Sequence, residues 1–313
     1  MVSNNSLVNK IQKLNKYREY IFRSHAKYIL KEYLEDWINK IITLSLVKTS
    51  IYTAIIVEDR VDEITKFCIY NTLLMTRLRL NIILFTTHDS FKQMQDLFAN
   101  LNQWVTVIEL NDQDNKLKKI NTKNYNKILK SSAFWEILPK GYIFVFQRDS
   151  LLIEPVDFSE FHYDYIGAPF SPDKYISSSF PEFLDISGIK KVEKWVTQVC
   201  NKVVHRTEGV FIGNGGFSLR NRDVMLQICK NEFSPNDENE DMFFSRLINS
   251  YSQNIVPFDI AKRFSCETTY FKSIGAHASY LYLTHEQQAE IYERHIKHIF
   301  ALIDLPNDST FTQ

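Results

Sequence analysis

Apolar residues Leu7, Ile11, Leu14, Tyr17, Ile21 and Tyr28 recur at helical spacing, and Tyr33, Leu34, Trp37, Ile38 and Ile41 continue the face. That period predicts a helix over residues 7–42. Its polar face mixes Lys10, Lys13, Lys16, Lys27 and Lys31 with Glu19, Glu32, Glu35 and Asp36. A helix lying on a membrane surface is more uniformly basic, so this one is expected to pack on the domain or on a second copy of the chain. A homo-oligomer through it is one expected consequence.

From Ile51 the pattern changes to strands alternating with helices. Ile51–Glu58 reads as a buried strand. Asp62 is placed to cap a helix through about Leu78, with Ile64, Cys68, Asn71, Met75 and Leu78 on its inner stripe. Strands follow at 81–86, 104–110 and 142–146, with helices at 91–100 and 131–138. Such alternation predicts an α/β fold with a mostly parallel sheet flanked by helices. Ligands in such sheets bind at the carboxyl ends of strands. Glu58-Asp59-Arg60 and Gln147-Arg148-Asp149 stand at two such ends. The stretch holding Pro169, Pro172 and Pro181 is expected to be a mobile loop.

Composition narrows the classes. The formal net charge is zero, with 44% hydrophobic and 24% charged residues, so no global field favours nucleic acid or an acidic membrane. Cys68, Cys200, Cys229 and Cys266 lack metal-ligand spacing and read as reduced thiols of a cytoplasmic protein. No basic start followed by an apolar run suggests a signal peptide.

Candidate chemistry clusters late. Half of the eight glycines fall at Gly209, Gly213, Gly215 and Gly216. Glycine lets a backbone take positive φ or approach a neighbour closely. Asp149, delivered by an apolar strand, is an oxygen ligand suited to Mn²⁺ or Mg²⁺, although an aspartate there also simply begins a turn. Glu240 and Asp241 open a helix running through Ile248, where the positive helix end favours an ionised carboxylate. The other account is ordinary helix capping by Asp237 and Glu238, with Glu240 and Asp241 as solvated neighbours. Asn71 interrupts an apolar stripe and needs a partner if buried; a ligand and a backbone carbonyl serve equally.

Phe134-Trp135, Phe146-Gln147-Arg148-Asp149-Ser150, Asp164-Tyr165-Ile166-Gly167-Ala168-Pro169-Phe170, Gly213-Asn214-Gly215-Gly216-Phe217-Ser218-Leu219-Arg220 and Glu240-Asp241-Met242-Phe243-Phe244 occur in that order. The series resembles a domain family of unassigned function that groups with the GT-A nucleotide-sugar glycosyltransferases. It covers roughly residues 51–283. The resemblance implies a GT-A-like, Rossmann-like domain there, with a helical extension over 1–50 and a C-terminal helix and tail over 284–313. It also implies a nucleotide-sugar donor, usually a UDP-sugar, and a divalent ion. The acceptor would be a glycan, a lipid-linked sugar or a protein, and no nucleic acid is involved.

Carried over by residue, the superfamily's Asp-x-Asp corresponds to Gln147-Arg148-Asp149, where glutamine replaces the first aspartate and removes one negative ligand. Asp149 is then the metal ligand and Gln147 a donor-binding residue. His277, in Gly275-Ala276-His277, matches a late metal-binding histidine. Asp241 is implied as the base on the acceptor hydroxyl, with Glu240 second. Glu58, Arg60 and Asn71 are nucleotide-pocket candidates, and Gly215 and Gly216 let the main chain approach the donor sugar. Trp135 is expected in the core, and Trp195 in the core or under an acceptor. The rival reading is a non-catalytic sugar-nucleotide or glycan-binding protein, which the missing aspartate favours. Nucleotidyl transfer wants a basic glycine-rich loop after the first strand, which Glu58-Asp59-Arg60-Val61 is not.

Overall fold

A computed structural model describes residues 4–42, 52–110, 117–170, 174–175, 184–185, 213–234 and 238–303. Six strands form the central sheet: β1 (Tyr52–Val57), β2 (Asn81–Thr86), β3 (Val105–Glu109), β4 (Tyr142–Phe146), β6 (Tyr165–Gly167) and β9 (Phe217–Asn221). Their order is β3-β2-β1-β4-β9-β6. The first four are mutually parallel, and β9 runs antiparallel to β4 and β6 on either side. The sheet is thus mostly parallel and flanked by helices, as the alternating pattern predicts. A three-stranded sheet joins β5 (Ser150–Leu152), β10 (Ser265–Cys266) and β11 (Gly275–His277), and β7 (Lys174–Tyr175) pairs with β8 (Leu184–Asp185).

β1 and β4 are almost wholly buried, which explains their unbroken apolar runs. Asp62 caps the next helix, Glu63–Met75, accepting from the amides of Ile64 and Thr65 at 3.1 and 3.0 Å. That helix stops short of the expected Leu78. Arg77 and Leu78 take left-handed φ of 51° and 57°, and their amides return to the carbonyls of Leu74 and Leu73. This reversal satisfies the last carbonyls and ends the helix without a glycine.

The N-terminal segment is helical from Asn4 to Ile41, with a π turn at Leu30–Leu34. Its buried face differs from the predicted one. Leu14, Tyr17 and Tyr28 are 47%, 56% and 51% exposed, whereas Phe22, Ala26, Ile29 and Leu30 are buried. The π turn adds a residue and rotates the first half relative to the face set by Leu34, Trp37, Ile38 and Ile41. The segment packs on helix Glu63–Met75, where Lys27 and Lys31 pair with Glu63 and Lys66 with Glu35. It also packs on the short helix Ser279–Tyr282 and the C-terminal helix His285–Ile303. No helix of the described residues is long and apolar enough to cross a membrane.

Candidate active site

β1 ends at Val57, and the following turn is held by its own charges. Glu58 is 4% exposed and accepts from the Arg60 amide at 2.8 Å and from Arg60 Nε and Nη2 at 2.7 Å each. Asp59 Oδ2 accepts from the Ile120 amide at 2.7 Å. These bonds shape a cleft of about 440 Å³ lined by Glu58, Arg60, Thr122, Tyr125, Gln147 and Asp149, among others. The volume falls in the range of small-molecule sites. Tyr125 is nine-tenths buried and its side chain lines the cleft beside Gln147.

β4 brings Gln147 and Asp149 to the same edge. The Gln147 amide donates to the carbonyl of Gly216 at 2.9 Å. Pairing of β5 with β11 sets Ser150 opposite His277. Ala278, in a left-handed conformation with φ 44°, donates its amide to the Asp149 carbonyl at 3.1 Å. A non-glycine residue in that region costs on the order of 1 kcal/mol or more. That backbone clamp holds His277 Nε2 at 3.2 Å from Asp149 Oδ1 and 3.1 Å from Gln147 Oε1. Nδ1 of His277 has no hydrogen-bond partner, and Glu267 Oε1 lies 3.7 Å from it. Burial alone would lower the imidazole pKa, but Asp149 and Glu267 outweigh it and raise it to about 10. Burial likewise opposes ionisation of Asp149, and His277 overrides it, holding that carboxyl below its ordinary value.

The glycine pair joins this cluster to the helix Glu240–Tyr251. A Cβ on Gly215 would sit 1.9 Å from Glu240 Oε1, and one on Gly216 would sit 2.3 Å from His277 Nε2. Close approach, not positive φ, therefore accounts for both; Gly141 is the positive-φ glycine among the described residues. What they approach in the protein is Glu240 and His277. Glu240 forms a buried bidentate pair with Arg220 at 2.6 and 3.0 Å, and its amide donates to Asn126 Oδ1 at 3.1 Å. Asp241 accepts from the Met242 amide at 2.8 Å. Burial, then the charges of Glu240 and Glu267, raises its pKa from 3.8 to about 7. The expectation that the helix end keeps Asp241 fully ionised thus gives way to burial and like charge.

The structure brings together Glu58, Arg60, Gln147 and Asp149 on the cleft, with His277, Gly216, Gly215 and Glu240 adjoining. Asn71 stands apart from that cleft's lining. It donates to the Leu152 carbonyl at 3.0 Å, and its Oδ1 lies 2.7 Å from His295 Nε2, so a carbonyl and a histidine satisfy it. Trp135 is in the core, donating to the Leu129 carbonyl at 2.6 Å. Glu267 and Tyr125 carry no local signal that singles them out in the chain, and Arg220, although it closes the glycine motif, shows no role until it meets Glu240. Gly209, Trp195, Cys200, Pro172, Pro181 and the side chains of Leu7 and Ile11 lie outside the described residues. Cys68, Cys229 and Cys266 are free thiols.

Among the described residues, no three His, Cys, Asp or Glu side chains form a metal-binding group. Asp149 Oδ1, His277 Nε2 and Gln147 Oε1 nevertheless converge as a mixed oxygen–nitrogen donor set. The negative field that favours a proton on His277 equally favours a cation there. These three fit a divalent ion, with its other positions left to a ligand and water.

No curated protein matches the sequence. The chain is similar to the mannosyltransferase PcManGT from Pyrobaculum calidifontis in complex with GDP-Man and Mn²⁺, at TM-score 0.37 and 10% identity, over 79% of this chain and 66% of that one. It thus spans just under two thirds of that protein. It is also similar to the galactosyltransferase LgtC with donor and acceptor sugar analogs, at TM-score 0.38 and 11% identity, over 82% of this chain and 98% of that one. Residues 106–280, more than half of the 313, match the family described as protein of unknown function (DUF5672), and the chain belongs to that family.

Proposed function

We propose that the protein is a metal-assisted glycosyltransferase that moves a sugar from a nucleoside diphosphate donor, a UDP-sugar, to an acceptor hydroxyl. The observation that carries this reading is the convergence of Asp149, His277 and Gln147 beside the 440 Å³ cleft at the strand ends. Asp149, His277 and Gln147 would hold Mn²⁺ or Mg²⁺, which when bound neutralises charge on the diphosphate. Glu58 and Arg60, locked together, form the cleft wall against which the nucleotide lies, and Tyr125 lines it beside Gln147. Asp241, with a pKa near 7, takes the acceptor proton as the acceptor oxygen bonds the anomeric carbon. The bond from that carbon to the diphosphate oxygen breaks, and the nucleoside diphosphate leaves with the electron pair. Acceptors of this chemistry are glycans, lipid-linked sugars and proteins bearing hydroxyls. The residues 51–283 are proposed as the transferase unit.

Gln147 favours a second reading, a sugar-nucleotide-binding protein without turnover, because a neutral amide binds a cation less strongly than a carboxylate. Incubation with a panel of nucleotide sugars and Mn²⁺ separates the two. Transfer or slow donor hydrolysis supports the enzyme. Thermal stabilisation without any release of nucleoside diphosphate supports the binding protein. Neither effect with any donor overturns both.

A further inference from the structure

Asp149 and Arg60 line a second, smaller cavity as well as the nucleotide cleft, so the two spaces adjoin at these side chains. The smaller one is about 50 Å³, too small for a base or a sugar ring. Its other walls are Ile64, Arg148 and Tyr280, and Glu19, Phe22 and Arg23 of the N-terminal helix. Phe22 stacks on Tyr280 at 5.3 Å between ring centroids, which fixes the helix against the segment that follows His277.

Three guanidinium groups border this chamber, and each keeps unused donors. Arg23 spends Nε and Nη2 on Glu19, at 2.8 and 2.7 Å. Arg60 spends Nε and Nη2 on Glu58. Arg148 is 5% exposed and gives Nη2 to Asp62, while its Nε is buried without a hydrogen-bond partner. A guanidinium has five N–H donors, so each pair leaves capacity for a further anion. A buried charged donor left unsatisfied is costly, and Arg148, whose side chain lines the chamber, carries one. Arg23, Arg60 and Arg148 stand against Glu19 and Asp149 in the lining, and Arg60 and Arg148 are also paired with Glu58 and Asp62, so a cation held at Asp149 and His277 would be what leaves the chamber net positive.

We propose that this chamber is a phosphate subsite, and that Arg23 of the N-terminal helix, with Arg60 and Arg148, binds the terminal phosphate of a nucleoside diphosphate. The proposal rests on the donor reading above and deepens it. The N-terminal helix then completes the donor site, with Glu19 competing with the phosphate for the Arg23 fork. A nucleoside monophosphate, lacking the terminal phosphate, would not reach the chamber.

Calorimetric titration of the full chain with UDP and UMP in Mn²⁺ tests it. Loss of a charge-assisted contact predicts that R23Q weakens UDP about tenfold or more while UMP changes little. R23K should fall between. E19Q, which frees Arg23 from its internal partner, should bind UDP more tightly than wild type, a gain that damage to the fold would not produce. Equal UDP affinity in wild type and R23Q overturns the subsite and leaves the donor reading standing. Equal weakening of UDP and UMP in R23Q also overturns it. If wild type binds none of UDP, GDP, ADP and CDP, the donor reading fails and takes the subsite with it.

Discussion

Arg220 and Glu240 form a bidentate ion pair at 2.6 and 3.0 Å with no solvent access to the guanidinium. Arg220 also donates to Ser218 Oγ and the Gly215 carbonyl and lies over the rings of Tyr165 and Phe244. The pair ties the antiparallel strand β9 to the helix that presents Asp241. Glu240 is therefore occupied, and its neighbour is the freer carboxylate. Removing one partner of a buried pair strands the other charge and costs about 3–5 kcal/mol. Glu240→Gln should lower stability by about that amount in urea denaturation, with Arg220→Met and Glu240→Met together costing much less. A fully stable Glu240→Gln would show that the pair does not anchor the helix.

Asp241 carries the proposed base role. Asp241→Asn should retain donor binding and slow transfer by about 10² to 10⁴. Because the base must be ionised, the wild-type transfer rate should rise with pH through about 7. Stability runs the other way. A carboxyl whose folded pKa exceeds its ordinary 3.8 contributes stability that is full below that value and lost as pH rises through about 7. Asp241→Asn should then be more stable than wild type at pH 8 and show no such gain at pH 4. Identical pH profiles for rate in both proteins would remove Asp241 from the chemistry.

His25 and His295 join the N-terminal and C-terminal helices through a 2.9 Å contact between Nε2 and Nδ1. Burial lowers the pKa of His25 from 6.5 to about 4 and that of His295 well below 6.5. A depressed folded pKa gives stability that is full above 6.5 and lost as pH falls toward 4. The melting temperature should fall over that window, and His25→Leu should flatten the fall. An unchanged acid slope in His25→Leu would mean that other groups set it.

The parts legible in the chain are those written locally. β1 and β4 show as apolar runs, Asp62 as a helix cap, and Glu240-Asp241 as a helix start. The first half of the N-terminal helix was legible as a helix but not as a face, because the π turn at Leu30–Leu34 shifts the phase that Leu14, Tyr17 and Tyr28 suggest. The Asp149–His277 meeting depends on strand pairing between distant segments, so only the resemblance pointed to it. Asn71 stood out as polar on an apolar stripe, yet its partners, Leu152 and His295, lie in a strand and a helix far along the chain. Arg220, Tyr125 and Glu267 gain meaning only through their neighbours.

Deleting residues 1–45 should do more than change assembly. Phe22, Ile29, Leu34, Trp37 and Ile38 of that segment are buried in the main core. Exposing their contacts costs about 1.5–3 kcal/mol per large side chain, which together rivals the whole ~5–15 kcal/mol stability of a domain. The truncated chain should unfold without a cooperative transition. A sharp two-state melt near that of the full chain would refute this packing account.

The most direct test of the central claim is calorimetric titration of a UDP-sugar into wild type and Asp149→Ala, each with and without Mn²⁺. The account predicts Mn²⁺-dependent binding in wild type and its loss in a folded Asp149→Ala. Binding that is unchanged by the substitution, or indifferent to Mn²⁺ in both proteins, would contradict it.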